Sequence, residues 1–160
     1  MTGVERFLTQ AVALAVDNVR ARRGRPFGAV LVKDGEVLAT GVNEVAATND
    51  PTAHAELQAI RAACRRTGAL RLDGCVMFAS GHPCPMCLTA MYLTGVRHVY
   101  CAFSLEAGEP YGLSTANIYS ELAAAAAQRS VQVVCSPVHV DEHPYSMWRA
   151  LQDATRNADA

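Results

Sequence analysis

Four residues near the middle of the chain have the types and spacing needed to bind a metal ion and to move a proton. Cys84 and Cys87 lie three positions apart in "SGHPCPMC", and His54 and Glu56 lie two apart in "HAE". Two thiolates and one imidazole suit zinc, and a catalytic zinc site leaves the fourth position open. Glu56 need not bind the metal, because its carboxylate can take a proton from the attacking water. The pattern predicts one Zn²⁺ per chain and a hydrolytic reaction.

Two other kinds of protein share part of this pattern. A closed structural zinc module needs a fourth strong ligand, and the nearest candidate, His82, is separated from Cys84 by a single proline. A two-residue gap also suits a redox pair formed by Cys84 and Cys87. The redox function leaves His54 and Glu56 without a role. Reactivity of the thiols before and after zinc chelation would separate these alternatives.

The first elements follow from caps and apolar periodicity. Thr2 and Glu5 have the spacing of a capping box, and an amphipathic helix is predicted to follow and to stop near Gly24. Two apolar, β-branched runs flank Asp34 and Gly35, a pair suited to a tight turn. The sequence therefore predicts an antiparallel hairpin after the first helix.

The candidate zinc ligands are predicted to lie at helix starts. Asp50 and Pro51 resemble the N-cap and first residue of a helix that ends at Gly68, which places His54 in its first turn. "CVMFAS" is a predicted strand, "CPMCLTAMYLTG" a second helix and "RHVYCAF" the next strand. We expect the metal to lie off the helix ends, where two residues two positions apart can both reach it.

The remaining chain completes an alternating pattern. A helix is predicted through the alanine run 123–127, then a fifth strand at "VQVVC" and a C-terminal helix over about residues 142–157. Such alternation predicts an α/β fold, a three-layer α/β/α sandwich with a mixed five-stranded sheet. No linker or repeat divides the sequence, so one domain over residues 1–160 is expected.

Composition narrows the class of protein. The chain has 160 residues, 51% of them hydrophobic, and a formal net charge of −1, which fits a globular domain and does not favour a nucleic-acid partner. Neither a signal peptide nor a membrane span is evident. Six cysteines in a protein of this kind predict free thiols or metal ligands in a reducing cytoplasm.

The motif H-x-E followed by P-C-x-x-C is typical of zinc-dependent nucleobase deaminases. The chain resembles the cytidine deaminase superfamily over most of its length, through "PFGAVLVKDGEVLATGVN", "NDPTAHAELQAIRAA" and "PCPMCLTAMY" in that order. "NDPTAHAE", "PCPMC" and "PYSMWRAL" are most similar to its guanine-deaminase-like branch. The resemblance implies that His54, Cys84 and Cys87 bind zinc, that Glu56 carries the proton, and that the fold is cytidine deaminase-like.

The same resemblance implies contacts to a small heterocyclic substrate. Asn43 would hydrogen-bond the ring and Phe27 would stack on it, with Ala55 and Thr115 as further contacts. The branch tends to have an acidic residue at the position of Thr115 and glutamate at that of His82. A threonine hydroxyl cannot carry a proton as a carboxylate does, so guanine is expected to be a weaker substrate unless another residue substitutes.

Three nearby residues are candidates for that substitution, Glu106, Glu109 and Tyr111. The ring expected from the resemblance is a guanine-like purine, its nucleoside or an s-triazine, and a cytosine, cytidine or transfer RNA adenosine deaminase is the alternative. Related chains form dimers and some exchange the C-terminal helix between subunits. A homodimer is therefore expected, with Met147 and Trp148 as possible anchors.

Overall fold

The computed structural model describes residues 2–158, which divide between Gln128 and Arg129 into two compact units. The first unit contains every strand of the described chain. None of the described helices is long and apolar enough to cross a membrane. In chain order the elements are α1 (Gly3–Arg20), β1 (Gly28–Lys33), β2 (Glu36–Val42), α2 (Val45–Thr48), α3 (Ala55–Thr67), β3 (Val76–Gly81), α4 (Pro85–Thr94), β4 (His98–Phe103), a 3₁₀ helix (Glu106–Tyr111), α5 (Ala116–Ala123), a second 3₁₀ turn (Ala126–Gln128) and α6 (Pro144–Ala158).

The first helix and the hairpin form as local sequence predicts. The Thr2 hydroxyl accepts a hydrogen bond from the Glu5 amide while the Glu5 carboxylate accepts one from the Thr2 amide, so the capping box is confirmed. Between β1 and β2 the turn residues Asp34 and Gly35 have φ angles of 50° and 81°. Positive φ at both positions is what a two-residue hairpin turn requires.

The sheet is mixed and has four strands in the order β2-β1-β3-β4. β1 pairs antiparallel with both β2 and β3, whereas β3 and β4 run parallel. The N-terminal end of β1 therefore lies at the same edge of the sheet as the C-terminal ends of β3 and β4. This edge positions the candidate site.

Helices pack on both faces of the sheet. Alternate residues of β1 point to opposite sides: Val30 and Val32 pack with Phe7 and Ala11 of α1, whereas Leu31 packs with α3. The α3 face forms the larger core cluster, and α4 contributes Met91 to it. Its buried members are Ala29, Leu31, Ala55, Ala59, Ile60, Ala63, Leu72, Cys75, Met77, Met91 and Val96.

Gly41 lets α3 lie directly against β2. A Cβ atom at Gly41 would lie only 2.2 Å from the backbone oxygen of Ala55 and 2.6 Å from the amide nitrogen of Ala59. Real Cβ atoms do not approach backbone atoms this closely. The first turn of α3 is therefore held against the sheet at a point where only glycine fits.

The predicted start of α3 at Pro51 is wrong. Asp50 forms a tight turn instead: its carboxylate accepts hydrogen bonds from the amide and hydroxyl of Thr52, and its backbone oxygen accepts one from the Ala53 amide. An Asx turn and a helix N-cap use the same residue types. The helix begins at Ala55, with His54 as its N-cap.

Two predictions for the last third of the chain are also wrong. The described chain has four strands rather than five, because "VQVVC" forms no strand and Val131, Val133 and Val134 are exposed. β-branched residues favour an extended backbone, but a strand exists only where a neighbour supplies hydrogen bonds. The fifth helix ends at Ala123, the first residue of the alanine run, rather than passing through the run, and the C-terminal helix spans Pro144–Ala158.

Candidate active site

His54 and Cys84 occupy equivalent positions at the starts of two helices. His54 is the N-cap of α3 and Cys84 the N-cap of α4, both with extended backbone (φ −75°, ψ 153° and φ −74°, ψ 166°). Neither side chain caps its own helix. Because His54 precedes the helix, it is free of the helical spacing that would have pointed it away from Glu56. Pro85 follows Cys84 as the first residue of α4, where its missing N–H costs nothing.

The three candidate ligands form one compact cluster. The Cys84 Sγ lies 3.5 Å from the Cys87 Sγ and 3.5 Å from the His54 Nδ1, and the Cys87 Sγ lies 3.7 Å from the same nitrogen. Bond lengths of about 2.3 Å to sulfur and about 2.0 Å to nitrogen at tetrahedral angles predict separations of about 3.8 and about 3.5 Å. The donor types and spacing therefore fit one Zn²⁺.

No fourth protein ligand joins this cluster among the described residues. His82, the candidate for a closed structural site, places its Nδ1 2.9 Å from the Pro83 backbone oxygen instead. The two sulfur atoms are both free thiols in the structure. The geometry is that of a three-ligand site with an open position, as hydrolytic zinc sites have.

Glu56 lies beside the cluster without belonging to it. Its Oε2 atom is 3.5 Å from the Cys87 Sγ, and the residue is only 6% exposed. As the second residue of α3 it follows directly from the backbone that carries His54. A buried carboxyl next to an open metal position is placed to exchange a proton with a water there.

The proton affinities of these groups depart from their ordinary values. Burial raises the pKa of the Glu56 carboxyl, and a hydrogen bond with Cys84 raises the pKa of His54. Hydrogen bonding between the two thiols lowers the pKa of Cys84 to about 4 and raises that of Cys87. The helix start at Cys84 also favours a thiolate. Both effects favour the thiolate form at Cys84, which is the form that binds a metal.

The structure brings Asn43, Phe27 and Ala55 to the same edge of the sheet. The Asn43 amide donates to the Phe27 backbone oxygen (3.1 Å), and Glu44 beside it donates to the backbone oxygen of Ala53 (2.9 Å), next to His54. Asn43 is only 1% exposed, and its Oδ1 accepts from the Arg25 amide (3.3 Å).

Two donors at this edge have no partner among the described residues. They are the Asn43 side-chain Nδ2 and the backbone N–H of Ala55, which opens α3 and is fully buried. The first amides of a helix have no intrahelical acceptor. Both groups are therefore buried donors without an acceptor in the described chain.

Thr115 lies at the start of α5 and not in the helices that carry the zinc ligands. It is the N-cap residue of α5, and its Oγ1 is buried without a hydrogen-bond partner in the described chain. The connection to the site is made by Tyr119, one turn later, whose hydroxyl donates to the Pro83 backbone oxygen (2.7 Å). The His82 ring packs edge-on against Tyr119, with centroids 5.7 Å apart.

Tyr119 is the residue that sequence reasoning missed. The Pro83 oxygen faces both the Tyr119 hydroxyl and the His82 Nδ1, and Pro83 immediately precedes the ligand Cys84. Tyr119 is 36 positions from Pro83 and lies in an ordinary amphipathic helix. No spacing or motif in the sequence distinguishes it from a core tyrosine.

Glu106, Glu109 and Tyr111, the candidates to replace the carboxylate missing at Thr115, differ in their surroundings. Glu106 and Glu109 are exposed on the 3₁₀ helix, and a hydrogen bond from Ser104 lowers the pKa of Glu106. Neither carboxylate lines a cavity near the site, whereas Tyr111 does. The structure thus brings only Tyr111 of the three to a cavity beside Phe27.

Comparison with known proteins agrees with this geometry. Residues 1–103 match the family model of the cytidine and deoxycytidylate deaminase zinc-binding region. Guanine deaminase from Bacillus subtilis is 44% identical over 147 residues, which are 91% of this chain and 93% of that one. Its crystal structure superposes with a TM-score of 0.81 at 43% identity, over the same shares of the two chains.

Two further relatives are more distant. Guanine deaminase from Nitrosomonas europaea has a TM-score of 0.63 at 29% identity, over 68% of this chain and 63% of that one. A tRNA-specific adenosine deaminase from Aquifex aeolicus is 43% identical over 74 residues, 46% of this chain and 49% of its own. The chain therefore belongs to the zinc-dependent cytidine and deoxycytidylate deaminase family, as a homologue of guanine deaminase with a cytidine deaminase-like α/β fold.

Proposed function

We propose that this protein is a hydrolytic deaminase that uses one Zn²⁺ per chain to release ammonia from an aminated purine of the guanine type. The observation that carries the proposal is the convergence of His54, Cys84 and Cys87 on one open tetrahedral position, with the buried Glu56 carboxyl beside it. Zinc, when bound, would supply a Lewis acid that makes a water nucleophilic near neutral pH. The chain's residues supply the ligands, the proton carrier and the ring contacts.

Glu56 moves the proton in this reaction. Its carboxylate takes a proton from water as the oxygen adds to the ring carbon that bears the amino group. That proton passes to the ring nitrogen beside the carbon. Glu56 then moves the proton of the new hydroxyl to the amino nitrogen, the exocyclic C–N bond breaks, and a carbonyl and ammonia result. Because Glu56 is almost wholly buried, bulk water does not compete for this transfer.

The substrate ring is held by groups from four segments of the chain, next to β1 and β2 and at the starts of α3 and α5. Phe27, before β1, offers an aromatic face. The free Nδ2 of Asn43 and the backbone N–H of Ala55 are donors suited to acceptor atoms on the ring. Thr115 offers a buried hydroxyl without a partner in the described chain. These contacts fix which ring carbon faces the zinc position.

A small ring is favoured over transfer RNA by two features. The guanine deaminase relative aligns over 91% of this chain, whereas the tRNA-specific adenosine deaminase from Aquifex aeolicus aligns over 46%. The net charge of −1 also gives little attraction to a polynucleotide backbone.

We also propose a homodimer in the cytoplasm. β4 is an edge strand of the sheet, and large apolar side chains of α4 and β4 are exposed. These are Tyr92, Leu93 and Tyr100. Exposed apolar edges of this kind are covered by partners in stable proteins. All six cysteines are free thiols, which suits a reducing compartment.

The decisive experiment measures zinc and ammonia together. After exhaustive dialysis, metal analysis should give one zinc per chain, and the loaded protein should release ammonia from at least one of guanine, guanosine, cytosine, adenine or ammeline. A well-folded, metal-free preparation with full activity would overturn the zinc assignment. Zinc-loaded protein that is inactive on all five rings would overturn the proposed substrate class.

A further inference from the structure

A cavity of about 390 Å³ lies beside the candidate active site, between the end of β3 and the segment that follows β4. Its lining, drawn entirely from described residues, contains neither the zinc ligands nor Glu56 but does contain Phe27 and His82. We propose that this cavity is a subsite for a neutral, apolar-faced substituent on the purine, so that the enzyme prefers substituted aminopurines to free guanine. The inference rests on the proposed function, which places the ring at Phe27.

The cavity and the zinc cluster share one edge of the sheet. Phe27 immediately precedes β1, Gly81 ends β3 and Phe103 ends β4, and the strand directions bring these ends together. Ligands of α/β sheets bind at this kind of edge. A Cβ atom at Gly81 would lie 2.9 Å from the Phe27 ring. Because Phe27 also lines the cavity, a ring stacked on Phe27 would border it.

The lining is mainly aromatic and aliphatic. Phe103 and Tyr111 are 55% and 77% exposed, so their apolar surface faces water until something covers it. Leu105 and Leu113 add aliphatic walls, while Ser104 and His82 are among the few polar groups. An apolar cavity with a few polar groups, within the range of about 300–1,000 Å³, is typical of small-molecule sites.

The charge of the lining selects neutral groups. No Lys, Arg, Asp or Glu is among the lining residues, and the charged residues directly next to lining residues in the chain are the exposed Arg25, Glu106 and Glu109. A phosphate inside the cavity would lose its hydration without meeting a charged partner in the lining, which is unfavourable. The cavity therefore suits an alkyl, aryl or glycosyl group and disfavours a nucleotide.

The test compares substituted purines with guanine on the zinc-loaded protein. Specificity constants are measured for guanine, 7-benzylguanine, 9-benzylguanine, guanosine and guanosine monophosphate, since either imidazole nitrogen of the purine can carry the group. The specificity constant of at least one benzyl isomer should exceed that of guanine by about tenfold, because burying the benzyl group in an apolar pocket is favourable. The monophosphate should be a poorer substrate than guanosine.

A cavity-filling variant distinguishes an effect on the subsite from an effect on the zinc site. Ala107→Trp narrows the cavity from the exposed 3₁₀ helix and should remove the benzyl preference while leaving guanine turnover unchanged. Ala69→Trp, an equally exposed alanine after α3, is the matched control and should keep that preference. Calorimetric binding of the benzylguanines to a zinc-loaded Glu56→Gln host gives the same comparison without turnover.

Equal constants for guanine and both benzyl isomers, or equal losses on all rings in Ala107→Trp, would overturn the inference. It would also be overturned if Ala107→Trp weakened self-association without changing ring preference, because a second copy would then occupy the cavity. If no purine releases ammonia but benzylguanine binding is lost in the Ala107→Trp host, the subsite stands and the proposed reaction is wrong.

Discussion

Glu56 combines two properties that a proton carrier needs and that a structural carboxylate does not. It lies 3.5 Å from the Cys87 Sγ, yet it makes no salt bridge in the described chain. Burying a carboxyl without a cationic partner destabilises the fold. Its position beside an open zinc site explains why a residue that destabilises the fold is present there.

Glu56→Gln should therefore keep zinc and fold but lose turnover. The amide preserves size and burial, yet it cannot accept a proton from water, and general acid–base contributions are worth a factor of about 10² to 10⁴. Metal analysis, circular dichroism and ammonia release measure the three properties. Glu36→Gln, the same change at an exposed position, should have no effect. Activity within a few-fold of the unmodified enzyme would mean that another group carries the proton.

Thr115 is the residue we expect to govern which purine is preferred. Its Oγ1 is buried and unpartnered in the described chain, and the resembling branch tends to have an acid at this position. Thr115→Asp should raise the specificity constant for guanine about tenfold or more, because a carboxylate accepts from ring donors and can carry a proton. Specificity constants for guanine, adenine and cytosine test this. A fall for guanine would show that Thr115 is adapted to another ring.

Elements stabilised by local contacts were predictable, whereas those that need distant partners were not. The capping box at Thr2 and the turn at Gly35 involve residues a few positions apart, so sequence indicates them directly. The start of α3 was misplaced because Asp50 caps a turn as readily as a helix. "VQVVC" has strand propensity, but propensity cannot supply a neighbouring strand.

The residues of the candidate site also differ in whether sequence could predict them. H-x-E and P-C-x-x-C are local motifs, so sequence alone brought the four central residues to notice. Tyr119 reaches Pro83 across 36 positions, and only the three-dimensional packing of α5 reveals that contact. The cavity beside Phe27 likewise forms from segments that are distant in the chain.

Tyr119→Phe should loosen the start of α4 without unfolding the protein. It removes one of the two donors at the Pro83 oxygen, and changes of this kind around metal ligands cost about tenfold or more in metal affinity. Zinc loss to a competing chelator should become faster by about that factor. Tyr92→Phe, whose hydroxyl has no bonded partner among the described residues, should lose zinc at the unmodified rate. Equal rates for both variants would assign Tyr119 to packing alone.

At the scale of the whole molecule, the apolar edge formed by α4 and β4 requires a cover. Leu93 is 73% and Tyr92 is 61% exposed. In the separate C-terminal unit, Trp148 of α6 is 63% exposed. Surfaces of this composition are enriched at interfaces between subunits.

The homodimer proposal is tested by sedimentation at micromolar concentration, where a dimer is expected. Leu93→Lys should shift the species toward monomer, because burying an unpaired ammonium at an interface is unfavourable. Leu70→Lys, at an 85% exposed leucine of the loop after α3, should remain dimeric. A monomer for the unmodified chain would refute the proposal, and a Leu93→Lys variant that stays dimeric would show that the α4 and β4 edge is not the interface.

The contact between Gly41 and the backbone oxygen of Ala55 limits how this protein can evolve. Any side chain at position 41 would displace the first turn of α3, and with it both His54 and Glu56. Exposed side chains at the rim of the cavity, such as those of Phe103 and Tyr111, can change one at a time, because they are not packed against the backbone of another element. Descendants with new substrates are therefore expected to differ at the rim and to inherit this glycine unchanged.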